Sequence, residues 1–129
     1  MTAFNSFEGI EAWKLARRLT KEVYSVSNTS DFSKDFGLKD QIRRASVSIM
    51  SNISEGFERD GSKEFMQFLS IAKGSSGEVR SQLYVLLDCG YIEQKDFDEL
   101  MRMTTTVSKL ISGLMKYLKT SKYKGTKYK

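Results

Sequence analysis

From Gln41 to Arg59 the chain reads QIRRASVSIMSNISEGFER, and this stretch limits the available folds more than any other. Wound as an α-helix, Leu38, Ile42, Ala45, Ile49 and Ile53 fall within about 80° of one another, a stripe that has to be buried. Beside it runs a second line, Arg44, Ser48, Asn52, Glu55 and Arg59. A solvated helix face normally carries long Lys and Glu side chains. Here the middle of the line is small and hydrogen-bonding, as expected of a face that another helix approaches closely. Two readings of its charged residues are open. In the first, Glu55 and Arg59 make an i,i+4 pair on an ordinary helix–helix contact, worth roughly 0.2–0.5 kcal/mol. In the second, Arg43, Arg44 and Arg59 reach an anion or a partner chain.

The rest of the chain supplies three more helices. The first is expected from Phe7 to Ser27, capped by Asn5 or Ser6, with Ala12, Leu15, Ala16, Leu19, Val23 and Val26 inward and Trp13 and Tyr24 flanking them. Trp13 reads as a core or interface anchor, because the sequence organises nothing polar around it. Asn28 to Phe36 is a loop whose Phe32 and Phe36 should fold back onto the helices. The second helix covers Leu38 to Gly56, and Phe57 to Gly61 forms a corner.

Ser62 is expected to cap a third helix reaching Cys89, about 40 Å long. Its seam is Phe65, Leu69, Ala72, Ser76, Val79, Leu83 and Leu86, alternating four and three apart. At the centre stand Gly74-Ser75-Ser76-Gly77. Each glycine costs a helix about 1 kcal/mol relative to alanine, so a compensating close crossing against the small face of the second helix is expected. The same residues lack the strand, spacing and lysine of a phosphate-binding loop. Gly90 should end this helix in the left-handed conformation.

A fourth helix runs from Glu93 to Lys119 with Phe97, Leu100, Met101, Thr104, Val107, Ile111, Leu114, Met115 and Leu118 inward. Asp96, Asp98 and Glu99 at its start and Lys116 and Lys119 at its end match the helix dipole. Short connections make the chain an all-α protein, an antiparallel up-down-up-down four-helix bundle over residues 1–119. Residues 120–129 are expected to form a flexible basic tail.

Charge and residue usage narrow the function. All 16 acidic residues precede Lys119, and as many basic residues balance them there. The net charge of +5 therefore belongs to Lys119, Lys122, Lys124, Lys127 and Lys129. The single cysteine, Cys89, permits no internal disulfide, fits a reducing compartment and is expected to face the core. Glu8 and Glu11 interrupt any secretory signal, and the longest strictly apolar run, Leu83 to Leu87, cannot span a bilayer. A cytoplasmic location without membrane association is expected.

Histidine is absent, which removes imidazole-activated nucleophiles, the helical zinc motifs and the Glu-x-x-His pairs of di-iron bundles. Glu55, Glu58 and Glu64 straddle the corner without a ligand pattern. No catalytic residue, metal or cofactor is expected; the chain reads as a binding protein.

QIRRASVSIMSNISEGFER, followed by SKEFMQFLSIAKGSSGEVRSQLY and GYI and preceded by Ile10-Glu11-Ala12-Trp13-Lys14-Leu15-Ala16, resembles the bacterial 23S rRNA intervening-sequence proteins. The likeness covers nearly the whole chain and is densest from Leu38 to Ile92. Relatives commonly carry proline where this chain has Ser33 and Met50, so the second helix should be less kinked here. The resemblance implies a homo-oligomeric ring, typically a pentamer, of four-helix protomers. It also implies a link to intervening sequences of large-subunit rRNA genes. A related branch consists of accessory proteins of diversity-generating retroelements that bind a reverse transcriptase and nucleic acid.

Two functions follow as expectations. One is electrostatic binding of structured RNA or DNA by the oligomer. Its candidate residues are Arg17, Arg18, Arg43, Arg44 and Arg59, with Lys119, Lys122, Lys124, Lys127 and Lys129, and with Tyr123 and Tyr128 stacking on unpaired bases. The other is a scaffold that docks a protein partner, such as a reverse transcriptase, with little affinity for nucleic acid. Trp13, Tyr24, Ser48, Asn52, Glu55, Gly74 and Gly77 are the candidate helix and oligomer contacts.

Overall fold

Apolar residues recurring every three to four positions do form helices, and the computed structural model describes residues 5–120 as four of them. They are α1 (Glu11–Val26), α2 (Phe36–Glu58), α3 (Ser62–Asp88) and α4 (Gln94–Thr120), with no strand among the described residues. Single 3₁₀ segments, Phe7–Gly9 and Ser30–Lys34, precede α1 and α2. Of the stripe expected on α2, Ile42, Ala45, Ile49 and Ile53 pack with Phe65, Leu69, Ala72, Val79, Leu83 and Leu86 of α3 in one core, whereas Leu38 is only partly covered. In α4, Met103 is buried where Met101 and Met115 were expected; both of these are only partly covered.

Each helix packs on two others in a closed cycle: α1 on α2, α2 on α3, α3 on α4, and α4 back on α1. Contacts along the α2–α3 seam show the two running in opposite directions. Gln41 meets Gln82, Ser48 meets Ser75 and Phe57 meets Phe65. Thr20 with Ser46 and Ser27 with Arg43 show the same for α1 and α2.

The ends of the helices depart from expectation in ways the local chemistry explains. The Phe7–Gly9 turn is followed by Ile10 in an extended conformation (φ −80°, ψ 123°), so α1 begins only at Glu11 and neither Ser6 nor Ile10 supplies a side-chain cap. Asp35 caps α2 by accepting from the Leu38 amide at 3.1 Å, which starts that helix two residues early. Gly61, not Ser62, holds the N-cap position of α3. At the other end of α3, Gly90 has φ +74°; its amide donates to Leu87 and that of Tyr91 to Leu86, satisfying two carbonyls of the last turn.

Three further expectations are corrected. Cys89 is exposed because it is the C-cap residue at that turn. Phe32 is fully buried and stacks on Tyr91 at 5.3 Å, but Phe36 is 71% exposed. Gly74 and Gly77 are exposed and a side chain there would meet open space, so they do not form the close crossing. The residue that does is Gly56, where a methyl group would lie 2.7 Å from Phe68 Cβ and 3.0 Å from Phe65. The small face of α2 does meet the middle of α3, through serine: Ser48 and Ser75 hydroxyls hydrogen-bond at 2.8 Å, and the Asn52 amide donates to Ser48.

Candidate nucleic-acid interface

Burying Ala12, Ala16, Leu19 and Val23 turns the opposite side of α1 to solvent. Lys14, Arg17, Arg18 and Lys21 all fall there, within about 100° of arc. Together with Glu8 and Trp13 they line a shallow groove of about 520 Å³. Trp13 is partly buried against the core. Phe7 meets its ring edge-on at 5.1 Å, and the Arg17 guanidinium lies 5.9 Å above it. Polar groups are therefore organised around Trp13 after all. They come from successive turns of its own helix, and the i, i+4 and i, i+5 spacing of Arg17 and Arg18 was legible. Lys14 and Lys21 join them in the groove without having stood out in the sequence.

The arginines of α2 are placed differently. Arg43 donates from Nε to Ser27 Oγ at 2.7 Å and from a terminal nitrogen to Asn28 Oδ1 at 2.9 Å, and it lies 4.3 Å over the Tyr24 ring. It clamps the end of α1. Arg44 pairs with Asp40 at 3.1 Å, and Arg59 pairs with Glu55 at 3.1 Å and covers Phe68 at 5.1 Å. These exposed pairs are worth about 0–1 kcal/mol each, but they do offset the charge an incoming anion would meet. Lys14 pairs with Glu11 at 3.3 Å, whereas Arg17, Arg18 and Lys21 have no ion-pair partner among the described residues.

Tyr24, Asp40, Arg43, Arg44, Ser48 and Asn52 line a second shallow cavity of about 550 Å³ where α1 meets α2. It shares no lining residue with the α1 groove, so Arg17 and Arg18 sit in one cavity and Arg43 and Arg44 in another. Arg59 lies at the far end of α2. Lys119 is exposed in the last turn of α4, and α4 itself extends through Thr120. Lys122, Tyr123, Lys124, Lys127, Tyr128 and Lys129 lie outside the described residues.

One polar centre was not foreseen. The Asp35 carboxylate caps α2 with one oxygen and accepts from the Tyr91 hydroxyl at 2.9 Å with the other. That hydrogen bond, with partial burial and the charge of Asp35 behind it, raises the Tyr91 pKa above its ordinary value. Its role is to fasten the α3–α4 turn to the start of α2. Among the described residues no group of three or more Cys, Asp or Glu is placed to hold a metal ion, and no helix is long and apolar enough to cross a membrane.

Four packed helices, with a basic groove along the outer side of α1, define a small all-helical fold. Within it, the chain belongs to the 23S rRNA-intervening sequence protein family, whose model matches residues 8–113. A crystal structure of a protein with unknown function from the S23 ribosomal protein family of Bacteroides thetaiotaomicron VPI-5482 shares the fold. It superimposes with a TM-score of 0.75 at 23% identity, covering 81% of this chain and 95% of that one. No curated protein matches the chain.

Proposed function

We propose that this is a non-enzymatic nucleic-acid-binding protein whose protomers, antiparallel up-down-up-down bundles, assemble into a homo-oligomeric ring in the cytoplasm. The observation that carries the binding is the sorting of Lys14, Arg17, Arg18 and Lys21 into one groove on the outer side of α1, with Arg43 and Arg44 in a second cavity where α1 meets α2. A described body of balanced charge gains a basic surface only by such sorting, and the lysines from Lys119 onward add to it. One protomer neutralises few phosphates. A ring presents the same residues several times along one long nucleic acid and raises their effective concentration. Five subunits is what the family resemblance implies.

Assembly is supported by the outer face of α3. Ile71, Gly74, Glu78 and Val85 fall within about 60° of one another, away from the core, and Ile71 and Val85 are 53% and 43% exposed. These same exposed apolar residues favour a second reading, a scaffold that docks a protein partner such as a reverse transcriptase.

Filter binding of structured RNA across a salt series separates the two. Full-length protein should bind with a log–log salt slope that steepens by about 0.7–0.9 per phosphate contacted. A chain ending at Thr120 tests the tail, and Arg43 and Arg44 changed to alanine tests α2. Absence of binding at low salt leaves the scaffold reading alone.

A further inference from the structure

Three features coincide in the α1 groove and nowhere else among the described residues. First, its charge is largely uncommitted: Arg17, Arg18 and Lys21 have no carboxylate partner among the described residues, while Arg43 is tied to Ser27 and Asn28, Arg44 to Asp40 and Arg59 to Glu55. Second, the groove holds an aromatic plane. Phe7 props the Trp13 ring edge-on at 66°, and the Arg17 guanidinium lies over it at 5.9 Å, within cation–π reach. Third, Lys14 to Lys21 spans about 10 Å of helix, roughly two or three successive phosphates of one strand.

We propose that the outward face of α1 is a single-strand site, in which an unpaired base stacks against Trp13 and Arg17 while Lys14, Arg18 and Lys21 hold the flanking phosphates. This rests on the reading of the protein as a nucleic-acid binder and adds where it binds and which form it prefers. A duplex keeps its base faces stacked inside and can offer this groove only phosphates. A splayed base can use the ring as well, and stacking of this kind tolerates any sequence. Tyr24 cannot serve in the same way, because Arg43, held by two hydrogen bonds, already covers its face.

Trp13 is the chain's only tryptophan, so its fluorescence reports on this groove alone. The test titrates full-length protein at low salt with an oligouridylate of about 15 nucleotides, long enough to cross the groove with unpaired bases on both sides. Trp13 emission is read with unlabelled strand and anisotropy with end-labelled strand; a duplex of equal length is the comparison. The expected result is quenching of Trp13 that saturates together with anisotropy, and weaker binding of the duplex without quenching.

Changing Arg17 and Arg18 together to alanine should weaken single-strand binding about ten-fold, through the lost base contact at Arg17, and lower the salt slope by about 0.7, the one phosphate held by Arg18. Both side chains are exposed, so circular dichroism melting should be unchanged and the loss is not unfolding. Anisotropy that rises while Trp13 emission stays constant, equal quenching by the duplex, or full affinity in the double variant overturns the single-strand site and leaves nucleic-acid binding standing. If neither strand nor duplex binds, both readings fall together.

Discussion

At Gly56 an added methyl group collides with Phe68 and Phe65, whereas at Gly74 and Gly77 it enters open space. The same substitution therefore has opposite signs at these positions. Gly56→Ala should destabilise the fold by about 1–3 kcal/mol, the usual cost of overpacking. Gly74→Ala and Gly77→Ala should each stabilise it by up to about 1 kcal/mol, through helix propensity alone. Urea denaturation midpoints of the three variants check the signs. Tyr91 makes a second residue-scale prediction. Its folded pKa is raised, so the stability it contributes is complete below the unfolded value near 10 and is lost as pH rises through the folded one. Denaturation midpoints above about pH 10 should fall more steeply in the native chain than in Tyr91→Phe. The difference between the two chains removes the contribution of lysines and other tyrosines that titrate in the same range.

At the scale of elements, the α2–α3 seam joins an apolar interior to a small polar edge at Ser48, Asn52 and Ser75. A double-mutant cycle of Ser48→Ala and Ser75→Ala should give a coupling of about 0.5–1.5 kcal/mol, the net value of one partly buried hydrogen bond. A coupling of zero would mean that water replaces either hydroxyl without loss.

The helices themselves were legible because burial leaves a period: Ile42, Ala45, Ile49 and Ile53 announce their face without any tertiary information. Their ends were less so. Asp35 as a cap depends on a backbone angle at the residue itself, and Ser62 looked like a cap only until Gly61 took the position. The glycines misled for a related reason. Gly74 and Gly77 flank the seam by sequence, but the helix rotation that puts Ser75 and Ser76 inward puts both glycines out. The candidate site was half legible. Arg17 and Arg18 stood out as a pair, but the engagement of Arg43 with Ser27 and Asn28 joins residues about 15 apart and needs the fold.

For the whole molecule, α3 has two seams, one filled and one open. The inner seam of Phe65, Leu69, Ala72, Val79, Leu83 and Leu86 is covered by α2 and α4. The outer one, Ile71, Gly74, Glu78 and Val85, faces away from both. If copies of the chain meet there, apolar area leaves water at about 25 cal/mol per Å², and a charge placed in the contact opposes it. The native chain should then scatter light as an oligomer at micromolar concentration, with a melting temperature that rises with protein concentration. Ile71→Asp with Val85→Asp should yield a monomer that keeps its helical circular dichroism, since neither side chain belongs to the core. Gly74→Leu should have the same effect: the protomer leaves room for the new side chain, so any harm it does must come from a neighbouring copy. A native chain that scatters as a monomer removes the ring and the multiplied charge built on it. An oligomer that survives all three changes moves its interface off α3, toward Val47 and Ser51 on the exposed side of α2.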